Sequence, residues 1–224
     1  NENTQKHYSE KLLLMNYLPM IYPKPIIKKK LSQNDLQRKN IYSCPQTLFK
    51  IHPDFDQIIF DIIEMDKKAI VYLIKDRKKV WFKKLINRFS KNNKYDPAKI
   101  VFIDPLNYEN YLLHIGKASV LLDPIYYGAG NSFFESMLFG TPTVTLPTDH
   151  IKSRLVLGAY KQMEIIGPPI AKNINNYVDL AVNYANRDDI GKLKNVYRKA
   201  AEKKLFNTKK AGEEFNKILS DLFN

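Results

Sequence analysis

From Ile41 onward, short β-branched runs alternate with amphipathic stretches, and few folds accommodate that order. The apolar runs are IYSC (41–44), AIVYLI (69–74), KIVFI (99–103), SVLLD (119–123) and PTVTLP (142–147). Each is short, continuous and bounded by turn residues, as for strands buried on both faces of a parallel sheet. Between them, DFDQIIFDIIEM, KKVWFKKLINRFSK, YENYLLHIGK, NSFFESMLFG and HIKSRLVLGAYKQM space their apolar residues as helices do. The alternation predicts a Rossmann-like, doubly wound parallel α/β sheet, with ligands beyond the carboxyl ends of its strands.

The ends of the chain differ from this pattern. After Pro169, NNYVDLAVNYANR, IGKLKNVYRKAAEKK and KAGEEFNKILSDLF read as helices packed around the sheet. Residues 1–40 contain PMIYPKP and KKK, a Pro-broken stretch closer to a linker than to a core element. The start at Asn1 rather than Met points to an upstream part.

Composition narrows the partners. The chain of 224 residues is 44% hydrophobic and 26% charged, an ordinary globular balance. No apolar run approaches the ~18 residues of a membrane span, and the polar start NENTQKHYSE does not resemble a signal peptide. Cys44 is the single cysteine, so no intrachain disulfide forms, and a reducing compartment, the cytoplasm, is expected. The net charge of +13 could serve phosphate, nucleic acid or an acidic membrane surface. The simpler reading spreads it over solvated faces such as KKVWFKK, and no nucleic-acid partner is expected.

Three loops after strands carry the candidate chemistry. In YYGAGNSFFESMLFGTPTVTLP (126–147), Gly128 and Gly130 let the backbone approach a ligand. Asn131 and Ser132 fall at a helix start, where free N–H groups favour an anion. Glu135, four residues on, would then reach a ribose diol. An ordinary N-capped helix with an exposed Glu fits the spacing equally well. Gly140 is expected to close this helix and Pro142 to open the next strand, both structural roles. In CPQTLFKIHPDFD (44–56), Thr47 and Lys50 could meet a pyrophosphate, although a turn Thr and a surface Lys are the commoner reading. In DPLNYENYLLHIGKA (104–118), Tyr108 or Tyr111 could stack on a base, although such tyrosines more often pack on the core. His52, His114 and His150 lack metal-ligand spacing, and no metal site is expected.

Taken together, SVLLDPIYYGAGNSFFESMLFGTPTVTLPTDHIKSRL resembles the donor-site region of O-linked N-acetylglucosamine transferases and their bacterial SPINDLY-type relatives. CPQTLFKIHPDFD resembles the first strand–loop–helix of that family's C-terminal domain. LFNTKKAGEEFNKIL resembles its closing helix, and HYSEKLLLMNYLP the end of its N-terminal domain. The resemblance implies a GT-B architecture, with residues 1–40 ending the preceding domain and 41–224 forming the nucleotide-sugar-binding domain. It implies that Lys50 holds the donor diphosphate beside Thr47, that Gly130, Asn131 and Ser132 cap the phosphates, and that Glu135 takes the ribose. Gln46, Tyr108 and Tyr111 become candidate base or ribose contacts.

Animal members carry a His followed by two Thr where this chain has Gly130, Asn131 and Ser132, and Asp in place of Glu135. Their uracil-proximal Lys and His have no counterparts near Tyr108 and Tyr111. The implied activity is inverting, metal-independent transfer of a sugar, with GlcNAc favoured, from a UDP-sugar to a protein acceptor. No cofactor is required, and the N-terminal catalytic domain of the same polypeptide is the expected partner. A non-catalytic nucleotide-binding module, a transferase using UDP-glucose or GDP-fucose, and a sugar-nucleotide epimerase stay open at this stage. The catalytic base is not identified.

Overall fold

The computed structural model describes residues 4–223; residues 1–3 and 224, part of the two spans assigned above, lie outside the described residues. The strands are β1 (Ile41–Cys44), β2 (Ile70–Ile74), β3 (Ile100–Ile103), β4 (Val120–Leu122) and β5 (Thr143–Val144). They form one parallel sheet in the order β3-β2-β1-β4-β5. Every expected apolar run supplies one strand. The order reverses between β1 and β4, so the chain leaves these neighbouring strands toward opposite faces and opens a crevice at their carboxyl ends.

The helices are α1 (Gln33–Leu36), α2 (Pro53–Met65), α3 (Val80–Phe89), α4 (Tyr108–Lys117), α5 (Asn131–Met137), α6 (Leu155–Met163), α7 (Ile174–Ala185), α8 (Ile190–Ala200) and α9 (Lys209–Phe223). On one face of the sheet, Phe55, Ile58, Ile59 and Ile62 of α2 join Tyr177 and Val178 of α7 over Tyr42, Val71, Val120 and Val144. On the other, α4 buries Leu112 and Ile115 against Leu121. Beside it, α5, α6 and α8 share a cluster built on Phe133, Phe134, Tyr160 and Tyr197. Burying each such side chain contributes roughly 1.5–3 kcal/mol. Pro53 at the first position of α2, with Asp54 and Asp56 in its first turn, suits a helix start.

Three expectations need correction. Burial on both faces holds for β4 and β5, whereas β2 alternates between buried and half-buried residues and β3, an edge strand, buries only Ile100. HIKSRLVLGAYKQM is not one helix: a 3-10 turn (Ile151–Ser153) precedes α6. Ser153 Oγ bonds Thr148 and the His150 carbonyl there, which competes with helix continuation. The final helix, α9, buries only Ala211 and so scarcely packs on the sheet domain. Thr47 and Lys50 lie in the connection between β1 and α2, as expected; Thr47 precedes a 3-10 turn (Leu48–Lys50) that Lys50 ends.

The end of α5 follows its expectation. Gly140 has φ +71°, the Gly140 N–H donates to Met137 O at 3.3 Å, and the Thr141 N–H donates to Ser136 O at 3.1 Å. This paired closure is a Schellman motif with glycine in the left-handed position. Pro142 follows, and its carbonyl accepts the Leu121 N–H at 2.8 Å as β5 begins. Behind the turn lies Lys194 of α8, buried, donating to the carbonyls of Gly116 (2.9 Å) and Ala118 (2.6 Å) at the end of α4. Burial pushes this amine down to about 7. Among the described residues, no helix is long and apolar enough to cross a membrane.

Candidate functional site

Beyond the carboxyl ends of β1 and β4 lies a cleft of about 620 Å³. The β1 side contributes Gln46, Thr47 and Lys50; the β4 side contributes Tyr127, Gly128, Gly130, Asn131, Ser132 and Glu135; Tyr111 of α4 lines it too. Of the sequence candidates, only Tyr108 does not line it. That ring is more than half exposed and stacks on Tyr111, with centroids 6.4 Å apart.

Hydrogen bonds join the two walls. Lys50 Nζ donates to Gln46 Oε1 at 2.9 Å and to the Gly128 carbonyl at 3.2 Å. Gln46 Nε2 in turn donates to Ser132 Oγ. Lys50 also sits 4.3 Å from the centroid of the Tyr127 ring. Partial burial pushes its ammonium below its usual range, with the Asp123 charge acting in the opposite sense. An anion entering here would meet a half-buried cation already aimed across the cleft. Asn131 is exposed and Ser132 buried at the start of α5, where a helix leaves its first N–H groups without internal partners.

Two residues that lead into the glycine loop hold its shape. Tyr126 has φ +75°, a strained conformation for a bulky residue. Its hydroxyl donates to Asp54 Oδ2 at 2.7 Å, and the His52 ring packs edge-on against it. Asp123 is buried and accepts the Ala129 N–H and, at 2.7 Å, the Thr145 hydroxyl. A Cβ on Gly128 would lie 2.9 Å from its carboxylate, so glycine is required by that close approach.

Burial raises Asp123 to about 6, against the lowering effect of its two hydrogen bonds. A carboxyl group whose folded value lies above its unfolded one stabilises the fold at low pH and loses that contribution as pH rises through the folded value. From pH 4 to 6 the loss is on the order of 3 kcal/mol. His114, buried against Ser43 Oγ at 3.0 Å and pushed down to about 4, acts in the opposite sense over that window. The two largely cancel in the unaltered chain. Asp123→Asn should therefore leave stability rising with pH between 4 and 6, as followed by denaturant unfolding; an unaltered slope would show that Asp123 does not titrate there.

Sequence reasoning missed Tyr127 and Lys152, which line the cleft, and Tyr22, which supports Glu135. Tyr22, from the Pro-broken leading stretch, donates to Glu135 Oε1 at 2.9 Å and stacks on Phe134. Nothing in that stretch has a periodicity that could have signalled it. Glu135 is correspondingly buried, 7% exposed, rather than a solvated helix residue. Cys44 is also buried, and its thiol is pushed up to about 12, which makes it an inert core group. Among the described residues, no three His, Cys, Asp or Glu side chains gather as metal ligands.

A Caenorhabditis elegans UDP-N-acetylglucosamine–peptide N-acetylglucosaminyltransferase is 24% identical over 206 residues, 90% of this chain and 18% of that protein. Among solved structures, a mutant of the Thermobaculum terrenum O-GlcNAc transferase superposes with a TM-score of 0.69 at 17% identity, covering 83% of this chain and 35% of that one. A mutant of S. aureus TarM, in complex with Fondaparinux, alpha-GlcNAc-glycerol and UDP, superposes with a TM-score of 0.63 at 14% identity, covering 96% and 41%. This chain thus spans well under two thirds of each of these relatives, and the structural likenesses show the shared fold. The model of glycosyl transferase family 41 matches residues 21–215. With nearly the whole chain inside that match, this protein belongs to glycosyl transferase family 41.

Proposed function

We propose that this chain is the donor-binding part of a glycosyltransferase and that the cleft between β1 and β4 takes the diphosphate of a UDP-sugar. The observation that carries this reading is the Lys50–Gln46–Ser132 chain across the switch point of the sheet. Lys50 and the N–H groups at the start of α5 would hold the diphosphate. As the bond between the sugar and the diphosphate breaks, negative charge grows on the leaving group, and these donors stabilise it where water is partly excluded. In this reading they take the role of a metal ion. The acceptor hydroxyl on a protein attacks from the opposite face of the sugar, inverting the anomeric centre. Its base belongs across the cleft, in the N-terminal catalytic domain of the same polypeptide.

A smaller cleft of about 200 Å³ adjoins the first, past the ends of β2 and β3, and shares Gln46, Thr47 and Tyr111 with it. The base would enter there, which keeps Gln46 and Tyr111 as base or ribose contacts and leaves Tyr108 at the rim. Glu135 then faces the ribose. Glu135→Gln should weaken UDP binding about three- to tenfold and 2′-deoxy-UDP binding less. Turnover at saturating donor should largely survive in the whole enzyme. Abolished turnover with intact donor affinity would move Glu135 into the chemistry.

The activity is tested by incubating the whole enzyme with a peptide acceptor and UDP-GlcNAc, UDP-glucose or GDP-fucose. Sugar attached to peptide with inverted anomeric configuration, best from UDP-GlcNAc, is the expected product. An epimerised donor with unmodified peptide would contradict transfer.

A further inference from the structure

The leading segment is fastened along the outside of the domain at several points. The Asn16 and Tyr17 N–H groups donate to Glu214 of α9 at 2.8 and 3.1 Å, and the Leu18 N–H to Gln162 of α6 at 2.9 Å. Lys24 pairs with Glu202 at 2.7 Å. Between these anchors Tyr22 turns inward. Its ring lies 5.1 Å from Phe134, nearly parallel at 26°, and its hydroxyl is 2.9 Å from Glu135 Oε1. Glu135 is almost fully covered yet lines the cleft. Burial and then the Glu135 charge push the phenol of nearby Tyr111 upward.

A carboxylate has two oxygens and about four acceptor directions. A short bond from a phenol to one oxygen fixes the plane of the group and stabilises its charge away from water. The Tyr108 and Tyr111 phenols also face this carboxylate, so a ligand diol shares the remaining acceptor directions with them and meets a group whose plane is already set. Neighbours three and four residues away along α5 do not restrain the end of a Glu side chain in this way.

We propose that Tyr22 is a positioning residue for donor recognition: its hydroxyl orients the Glu135 carboxylate for the ribose diol, so selectivity for the 2′-hydroxyl depends on the segment leading into the domain. This rests on the nucleotide-sugar reading of the cleft. It deepens that reading, because a residue outside the sheet domain sets how well the domain tells a ribonucleotide from its 2′-deoxy form.

The test is Tyr22→Phe, which keeps the ring and its stacking on Phe134 and removes only the hydroxyl. Affinities for UDP and 2′-deoxy-UDP, and for the GDP pair, are measured by titration calorimetry. The loss expected for the ribonucleotide is about three- to fivefold, with less than about twofold for its deoxy form. Adding Glu135→Gln should then cost little more selectivity, because both changes remove one device. Equal losses for the two forms, or no loss, would overturn the proposal and leave the nucleotide reading intact. An unaltered chain that binds neither UDP nor GDP would overturn both. In the unaltered chain, UDP should slow amide exchange across residues 18–24 more than 2′-deoxy-UDP does, and equal protection would also overturn the role of Tyr22.

Discussion

Gly140→Val is expected to leave the chain largely unfolded at room temperature. The backbone at Gly140 has φ +71°, where a β-branched residue is strained by its own side chain. A Cβ there would also lie 1.8 Å from the carbonyl oxygen of Lys194 and 2.7 Å from the Arg198 nitrogen. Both are backbone atoms of α8, so no side-chain rotation relieves the clash. Moving α8 would withdraw the buried Lys194 ammonium from the carbonyls that end α4. Leaving the buried amine and the two carbonyls without partners costs about 1–3 kcal/mol for each group, and the strained φ adds about 1–2 kcal/mol. Set against a typical total of roughly 5–15 kcal/mol, that loss dominates. Gly140→Ala should be nearly as damaging, since the first carbon makes the clash. Gly212→Ala, in α9 with no atom within 4 Å of the added carbon, is the control and should unfold like the unaltered chain or slightly later. Thermal and denaturant unfolding followed by circular dichroism measures all three. A Gly140→Val midpoint within a few degrees of the unaltered one would contradict this account of the α5–α8 junction.

Lys50→Ala should weaken binding of a nucleoside diphosphate about ten- to a hundredfold and barely change binding of the nucleoside. Charge-assisted hydrogen bonds to phosphate contribute about 1.5–3 kcal/mol, which corresponds to that range. Lys50 is half-buried, held by Gln46 and the Gly128 carbonyl and flanked by the Tyr127 ring. A phosphate would therefore meet a cation whose orientation is already fixed. Truncation also frees Gln46, which could loosen its bond to Ser132; for that reason Lys50→Met, closer in shape, belongs beside it. Calorimetry with UDP and with uridine separates the two ligands. Equal losses for both would assign Lys50 to loop structure rather than to phosphate.

The sheet was legible because its apolar runs are continuous and evenly interrupted: each of the five runs holds a strand. Glycine with a left-handed backbone at the end of α5 was legible too, from its place after SFFESMLF and before Pro142. What escaped depends on contacts between distant residues. The pattern HIKSRLVLGAYKQM is periodic across Ser153, so the bonds from Ser153 to Thr148 and His150 that interrupt it leave no trace in the spacing. Lys194 reads as part of a solvated basic face in IGKLKNVYRKA, yet it is buried because the end of α4 offers two carbonyls. Asp123 closes an apolar run and looks like a strand terminus until Ala129 and Thr145 meet it. Tyr22 and Glu135 are 113 residues apart, and a Pro-broken segment has no period to place either.

The claim on which the rest depends is that the cleft at the β1/β4 switch point binds a nucleoside diphosphate through Lys50 and the start of α5. Titration of the unaltered chain with UDP and GDP in excess chelator tests it most directly. The account predicts saturable binding of one nucleotide per chain in the chelator, much weakened when the diphosphate is removed. No binding of either nucleotide, or binding only after magnesium or manganese is restored, would contradict it.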